Sequence, residues 1–232
     1  MSTPAPRDLL ILDVPAAARA AHARLLCAPE AAEFTTGAAD IAVGAPHGSS
    51  ASGLLVAVDD LAEAGRLTQR RGLPLVWTDD RAVAAVDGLT LGLVGPTAPK
   101  GAELGAEIVG IDHVVLTSPN RDRIIATLCG RLDFDLRLDR VQSWGVHQLF
   151  LRRGELLVEV VLAEGEDVDP SGPDSLWGIA WRTTDADATH ARLTAQGITV
   201  SEVRRGAKPG TRVATIKDPE LGVPTIVLEQ RP

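Results

Sequence analysis

One phrase occurs twice in this 232-residue chain, and that recurrence limits the fold more than any other feature. Val58-Asp-Asp-Leu-Ala-Glu-Ala-Gly-Arg-Leu-Thr-Gln-Arg-Arg-Gly72 and Thr184-Asp-Ala-Asp-Ala-Thr-His-Ala-Arg-Leu-Thr-Ala-Gln-Gly197 both open on an Asp suited to cap a helix and close on a Gly suited to end one. A short apolar strand precedes each, at residues 53–58 and 177–181. Residues 200–203, 211–216 and 223–229 then read as three further strands, separated by Gly and Pro turns. The repeating unit is strand-helix-strand-strand-strand, about fifty residues long.

Two more stretches follow the same order. From Gly110-Ile-Asp-His-Val-Val-Leu-Thr-Ser-Pro119 the chain predicts a strand to Thr117 and a helix over 119–129. Strands near 134–138, 146–151 and 156–162 come next, the last two joined by a tight turn at Arg153-Gly154. Residues 8–13, an Ala-rich helix ending near Cys27, and strands near Phe34 and 39–43 form a shortened copy. The unit from Gly53 continues through 74–77, 82–86 and 89–94. We therefore expect a degenerate pair of units at 1–95, a linker at 96–109 and a second pair at 110–232, with an acidic, Pro-containing spacer at 163–175.

Composition excludes several functions. The net charge of −8 argues against nucleic acid and anionic membranes, which require clustered Lys and Arg. No apolar run approaches the ~20 residues that span a bilayer, and the start is a poor secretory signal, so a cytoplasmic location is expected. The chain has no Tyr, so no phenol can serve as an acid. Cys27 and Cys129 read as small buried hydrophobes. His22 and His190, in predicted helices, read as surface residues, and Pro46-His47-Gly-Ser-Ser-Ala-Ser52 lacks the Lys and setting of a phosphate loop.

The candidate chemistry centres on His113, near the start of an apolar strand, and on two carboxylates in apolar strands, Glu159 and Glu229. Burying such a Glu ionised and unpaired costs several kcal/mol, so each needs a cation, a proton or solvent. Strand alternation puts His113, Val115 and Thr117 on one face, and groups Gly178, Ala180 and Arg182 on another strand. Arg182 could hold a substrate carboxylate or form an exposed ion pair. A two-residue turn at Arg153-Gly154 would set Gln148 beside Glu159 and send His147 to the helix side, and a bulge would reverse this. Trp144, Trp177 and Trp181 read as packing or cleft-rim residues that could also meet a ligand.

The phrases Ile111-Asp-His-Val-Val, Leu157-Val-Glu-Val and Lys217-Asp-Pro-Glu-Leu-Gly-Val-Pro-Thr-Ile-Val-Leu-Glu229 resemble the vicinal oxygen chelate superfamily, closely over 110–230 and in outline before that. This group includes glyoxalase I, methylmalonyl-CoA epimerase, extradiol dioxygenases and bleomycin-resistance proteins. The resemblance implies an α+β fold: four βαβββ modules forming two paired-module domains with curved mixed sheets around a cleft. It also implies a divalent metal ion (Fe, Mn, Ni, Zn or Mg) held by His113, Glu159 and Glu229, either carboxylate able to act as a base. The substrate would be a small oxygenated molecule, contacted by Gln148, Arg182, Trp144 and Trp177. Gly178 stands where the family has its fourth ligand. The expected activity is a metal-dependent lyase or isomerase. The alternatives are a metal-free binding protein of the bleomycin-resistance type and an extradiol ring-cleaving dioxygenase. The first half would shield the second or supply a contact in a homodimer.

Overall fold

The computed structural model describes residues 7–44, 51–96, 101–105, 107–163, 165 and 167–231. The segment containing His47, and residues 97–100 and 106 of the expected linker, lie outside them.

The chain forms β1 (Leu9–Leu12), α1 (Ala18–Leu26), β2 (Glu33–Thr35), β3 (Asp40–Val43), β4 (Gly53–Ala57), α2 (Leu61–Arg70), β5 (Val76–Trp77), β6 (Arg81–Val86), β7 (Leu89–Val94) and β8 (Ala102–Glu103). The second half contributes β9 (Ile108–Ser118), α3 (Arg121–Ile125) continued by a π-helical turn (Ala126–Arg131), β10 (Asp135–Val141), β11 (His147–Arg153) and β12 (Leu156–Leu162). It ends with β13 (Ser175–Thr183), α4 (Ala186–Ala195), β14 (Arg204–Arg205), β15 (Thr211–Ile216) and β16 (Thr225–Gln230).

These strands make two mixed eight-stranded sheets, β5-β6-β7-β4-β1-β3-β2-β8 and β10-β11-β12-β9-β13-β16-β15-β14. Each sheet joins two units along their first strands, β1 against β4 and β9 against β13, both antiparallel. The α+β fold of paired modules is thus as expected.

Local chemistry explains the repeat. Asp60 accepts from the Glu63 amide at 2.8 Å, Asn120 from that of Arg123 at 3.0 Å, and Asp185 from those of Asp187 and Ala188 at 2.9 Å, so three of the four helices begin on a side-chain cap. Gly72 and Gly197, just past α2 and α4, take φ of +88° and +79°, where a Cβ would be strained.

Several expectations need correction. Among the described residues two strands follow α1 before the next unit begins, as the shortened copy predicts, but the unit has a further member. The fourth place in that unit goes to β8, from the stretch expected to be a linker, which pairs in parallel with β2. The second sheet begins at Ile108 rather than 110. The hairpin turn is Gly154-Glu155, because Arg153 pairs with Leu156. His22 is fully buried, with Nδ1 bonded to the Ala18 carbonyl, because α1 packs against the turn at Pro219–Leu221. Burial lowers its pKa. Cys27 is exposed, in a left-handed conformation that ends α1. Trp181 is core rather than rim.

The halves share one apolar core. Arg153 donates to the Ala57 carbonyl at 2.9 Å and meets Asp8 at 3.2 Å. Arg192 donates to the carbonyls of Arg24 and Leu25, at the end of α1, at 3.1 and 3.0 Å. One close approach is backbone on backbone: a Cβ on Gly110 would sit 2.5 Å from the Gly37 amide nitrogen. Gly110→Val should lower unfolding free energy by about 1–3 kcal/mol, read from the urea midpoint. Gly130→Ala, where an added Cβ meets nothing, should stay within about 0.5 kcal/mol.

Candidate functional site

His113 and Glu159 lie together on one face of the second sheet, on neighbouring strands. Glu159 pairs with Val115, which shares the His113 face of β9. His113 Nε2 and Glu159 Oε2 are 3.6 Å apart, and both side chains are 14% exposed. Gln148, on β11, pairs with Val161 and reaches Glu159 diagonally, its Nε2 donating to Oε1 at 2.5 Å. Gln142 in turn donates to Gln148. His147 faces away and contacts Asp139 at 2.7 Å.

Asp112 completes the cluster. In register, Ala180 opposes His113 and Trp181 opposes Ile111, so Asp112 is an extra residue in β9. This bulge turns its carboxylate beside the next side chain, where adjacent strand residues ordinarily point to opposite faces. Asp112 Oδ1 lies 2.9 Å from His113 Nδ1. Sequence reasoning missed it, since only the bulge makes neighbours in sequence neighbours on one face.

Electrostatics distinguish the two carboxyls. Burial raises the Glu159 pKa above its ordinary value, and the His113 charge and the Gln148 hydrogen bond offset only part of this. Burial also opposes ionisation of Asp112, but the His113 hydrogen bond and the charges of His113, Arg182 and Lys208 outweigh it and lower its pKa. When Nδ1–H of a neutral His113 donates to Asp112, the Nε2 lone pair faces Glu159. Two lone pairs 3.6 Å apart call for a proton or a cation between or beside them.

Glu229 is elsewhere. The caps Asn120 and Asp185 stand 65 residues apart, and the same offset carries Val115 to Ala180 and His113 to Gly178. Ala180 pairs with Ile226, so Ile226 is the counterpart of Glu159, and Glu229, paired with Thr183, is the counterpart of Leu162. An odd offset of three residues puts Glu229 on the helix side of the sheet. There it is buried, accepts from the Ala186 amide at 3.0 Å, and meets Arg212 at 3.3 Å and Arg231. Burial opposes its charge, but Arg231, the Ala186 amide and Arg212 prevail and lower its pKa. The expected convergence of His113, Glu159 and Glu229 therefore does not occur.

The remaining candidates are spread around the face. Arg182 is half-buried on β13, paired with Gly110 and Leu228, its guanidinium close to Gly37. Trp144 and Trp177 are 65% and 56% exposed, the latter bulged out of the β9–β13 ladder. A hollow of about 840 Å³ lies where the halves meet, lined by Arg7, Asp8, Ala57, Arg153 and Glu155 among others, and not by His113.

A resident divalent ion in a catalytic site usually takes three protein ligands. Here His113 Nε2 and Glu159 stand together, while the Asp112 carboxylate is held at the other ring nitrogen, Nδ1, and so does not join them. Gly178 and Ile226 hold both fourth-unit positions, and among the described residues no cluster of three or more His, Cys, Asp or Glu could hold a metal. The donor set does not fit such an ion.

Comparison with known proteins agrees with this geometry at the level of the family. Residues 112–215 match the sequence model of the Glyoxalase/Bleomycin resistance protein/Dioxygenase superfamily. Its members generally use divalent metals. A xylose isomerase-like TIM barrel/4-hydroxyphenylpyruvate dioxygenase fusion protein superposes with a TM-score of 0.68 at 17% identity, over 99% of this chain and 50% of its own. The present chain thus spans half the length of that protein, and the likeness is one of fold. Methylmalonyl-CoA epimerases from Mycobacterium tuberculosis and Streptomyces coelicolor match at 21% and 23% identity with TM-scores of 0.45 and 0.43, covering 55% and 54% of this chain and 91% and 99% of theirs. No curated protein matches. No helix among the described residues is long and apolar enough to cross a membrane.

The two glutamates should respond oppositely to pH. Glu159 binds its proton more tightly folded than unfolded, so its ionisation costs stability as pH rises above the ordinary value of 4.5. Glu159→Gln should therefore be more stable than the parent at pH 7, the difference closing as pH falls below that value. Glu229 contributes stability above its ordinary value that is lost on acidification. Glu229→Ala leaves the Ala186 amide unpaired and should cost about 1–3 kcal/mol at pH 7 in chemical denaturation.

Proposed function

We propose that the chain binds a small oxygenated molecule on the His113–Glu159 face without a resident metal ion, in the manner of the metal-free members of its superfamily. The observation that carries this reading is the pair Gly178 and Ile226, which leaves the fourth unit without a donor at either ligand position. What remains suits recognition. Glu159 and Gln148 offer acceptors and donors to hydroxyl or carbonyl groups, Arg182 can take a carboxylate, and exposed Trp144 and Trp177 can pack on a ligand as it enters.

A second reading, a lyase or isomerase, is favoured by one specific observation. Glu159 has a raised pKa, as a general base working near neutrality requires, and stands beside an imidazole. In that reading Glu159 takes a proton from carbon, His113 and Gln148 orient it, and Arg182 holds the substrate. Ring cleavage ranks behind both, because its two-His, one-carboxylate set would need a second His where Gly178 stands.

Elemental analysis of protein purified without chelator should give well below one equivalent of Fe, Mn, Ni or Zn, with the same content in His113→Ala. Near-stoichiometric metal that disappears in the variant would overturn the metal-free reading. The lyase or isomerase reading instead expects solvent deuterium to enter the substrate carbon, with the exchange lost in Glu159→Gln.

A further inference from the structure

Positive charge is concentrated at one edge of the second sheet. The chain carries 31 Asp and Glu against 23 Lys and Arg. Yet five cations, Arg204, Arg205, Lys208, Arg212 and Arg231, line a hollow of about 600 Å³ around the turn from β14 to β15, with no carboxylate in its lining. Arg212 is engaged by Asp187 at 2.7 Å, and Arg231 by Glu229. Arg204, Arg205 and Lys208 are exposed, and none pairs with a carboxylate among the described residues. Lys208 also feels the charge of Asp112, but like charges around one concavity repel one another, a cost that an anion would lower.

The register connects this edge to the face already described. Arg204 opposes Val213, Val213 opposes Leu228, and Leu228 opposes Arg182, a single row across four strands. Three interstrand steps separate the ends of the row, roughly 14 Å. The volume is that of a small-molecule site. A long polyanion is disfavoured, because beyond this edge it would meet the field of a chain with net charge −8. Guanidinium forks and an ammonium around one centre suit the several oxygens of a phosphoryl group better than the two of a carboxylate.

We propose that this hollow is an anion site for the phosphate or pyrophosphate group of a small ligand, with Arg204, Arg205 and Lys208 as its recognition groups. The assignment does not depend on the chemistry at His113 and Glu159. Calorimetric titration of the full chain with inorganic pyrophosphate at low salt should give saturable binding at one equivalent, weakened by added sodium chloride. Arg204→Ala combined with Lys208→Ala should weaken it by about tenfold or more, whereas Arg66→Ala combined with Arg70→Ala, on α2, should leave it unchanged. Both altered residues of the first pair are exposed, so an unchanged melting temperature is expected. Absence of saturable binding by the parent protein, or equal binding by the Arg204/Lys208 variant, would overturn the proposal.

Discussion

The antiparallel seam between β9 and β13 decides what faces what in the second sheet. Side chains alternate along a strand, so each pairing assigns a whole strand to one face or the other, and one extra residue reverses the assignment. At this seam Ala180 opposes His113 and Gly178 opposes Val115. β12 and β16 then join in parallel on either side, bringing Glu159 level with Val115 and Ile226 level with Ala180. The extra residue Asp112 adds a carboxylate to the His113 face without disturbing Val114 and Leu116, which stay in the core.

Much of this arrangement was legible in the sequence. The helix starts at Asp60, Asn120 and Asp185 and the stops at Gly72 and Gly197 are local chemistry, resting on one or two side chains and a backbone conformation. The strand order of each unit follows once the units are recognised as copies. What could not be read was register. Glu159 and Glu229 both lie in apolar strands, and the similarity of those strands hides a difference of three residues, which places one carboxylate on the His113 face and the other under a helix. Register depends on long-range pairing between strands far apart in sequence. Even the hairpin turn was misplaced by one residue, yet Gln148 stayed on the Glu159 face, because moving a two-residue turn by one position shifts partners by two and preserves parity. The true place of Glu229 had a local clue: a carboxylate near two arginines, Arg212 and Arg231, can cap a helix start as readily as bind a metal.

The fate of the two carboxylates follows from their surroundings. Glu229 accepts an amide hydrogen bond at the first turn of α4 and two guanidinium contacts, so its charge is matched and its ionisation supports the fold. Glu159 has one amide side chain and an imidazole, too little to offset its burial, and so it resists ionisation. Stabilising Glu159 fully would need only a nearby guanidinium, and Arg182 on β13 is instead directed toward Gly37 and Gly110. A half-buried carboxyl left under-compensated lowers stability and would gain from any ligand that supplied the missing hydrogen bond or charge.

The asymmetry between the two units of this sheet has one further consequence. The third unit supplies Asp112, His113, Gln148 and Glu159, whereas the fourth offers Gly178, Ala180 and Ile226 in the corresponding places. A metal between matched units would tie both halves of the sheet together and fix the cleft width. Here the polar groups all belong to the third unit and the small or apolar ones to the fourth, so no matched set of donors joins the two. Gly178 and Ala180 are buried, and a Cβ on Gly178 would meet the Pro224 carbonyl oxygen at 2.8 Å, so in the proposed binding role a ligand gains chiefly by supplying a hydrogen bond or charge to the half-buried Glu159.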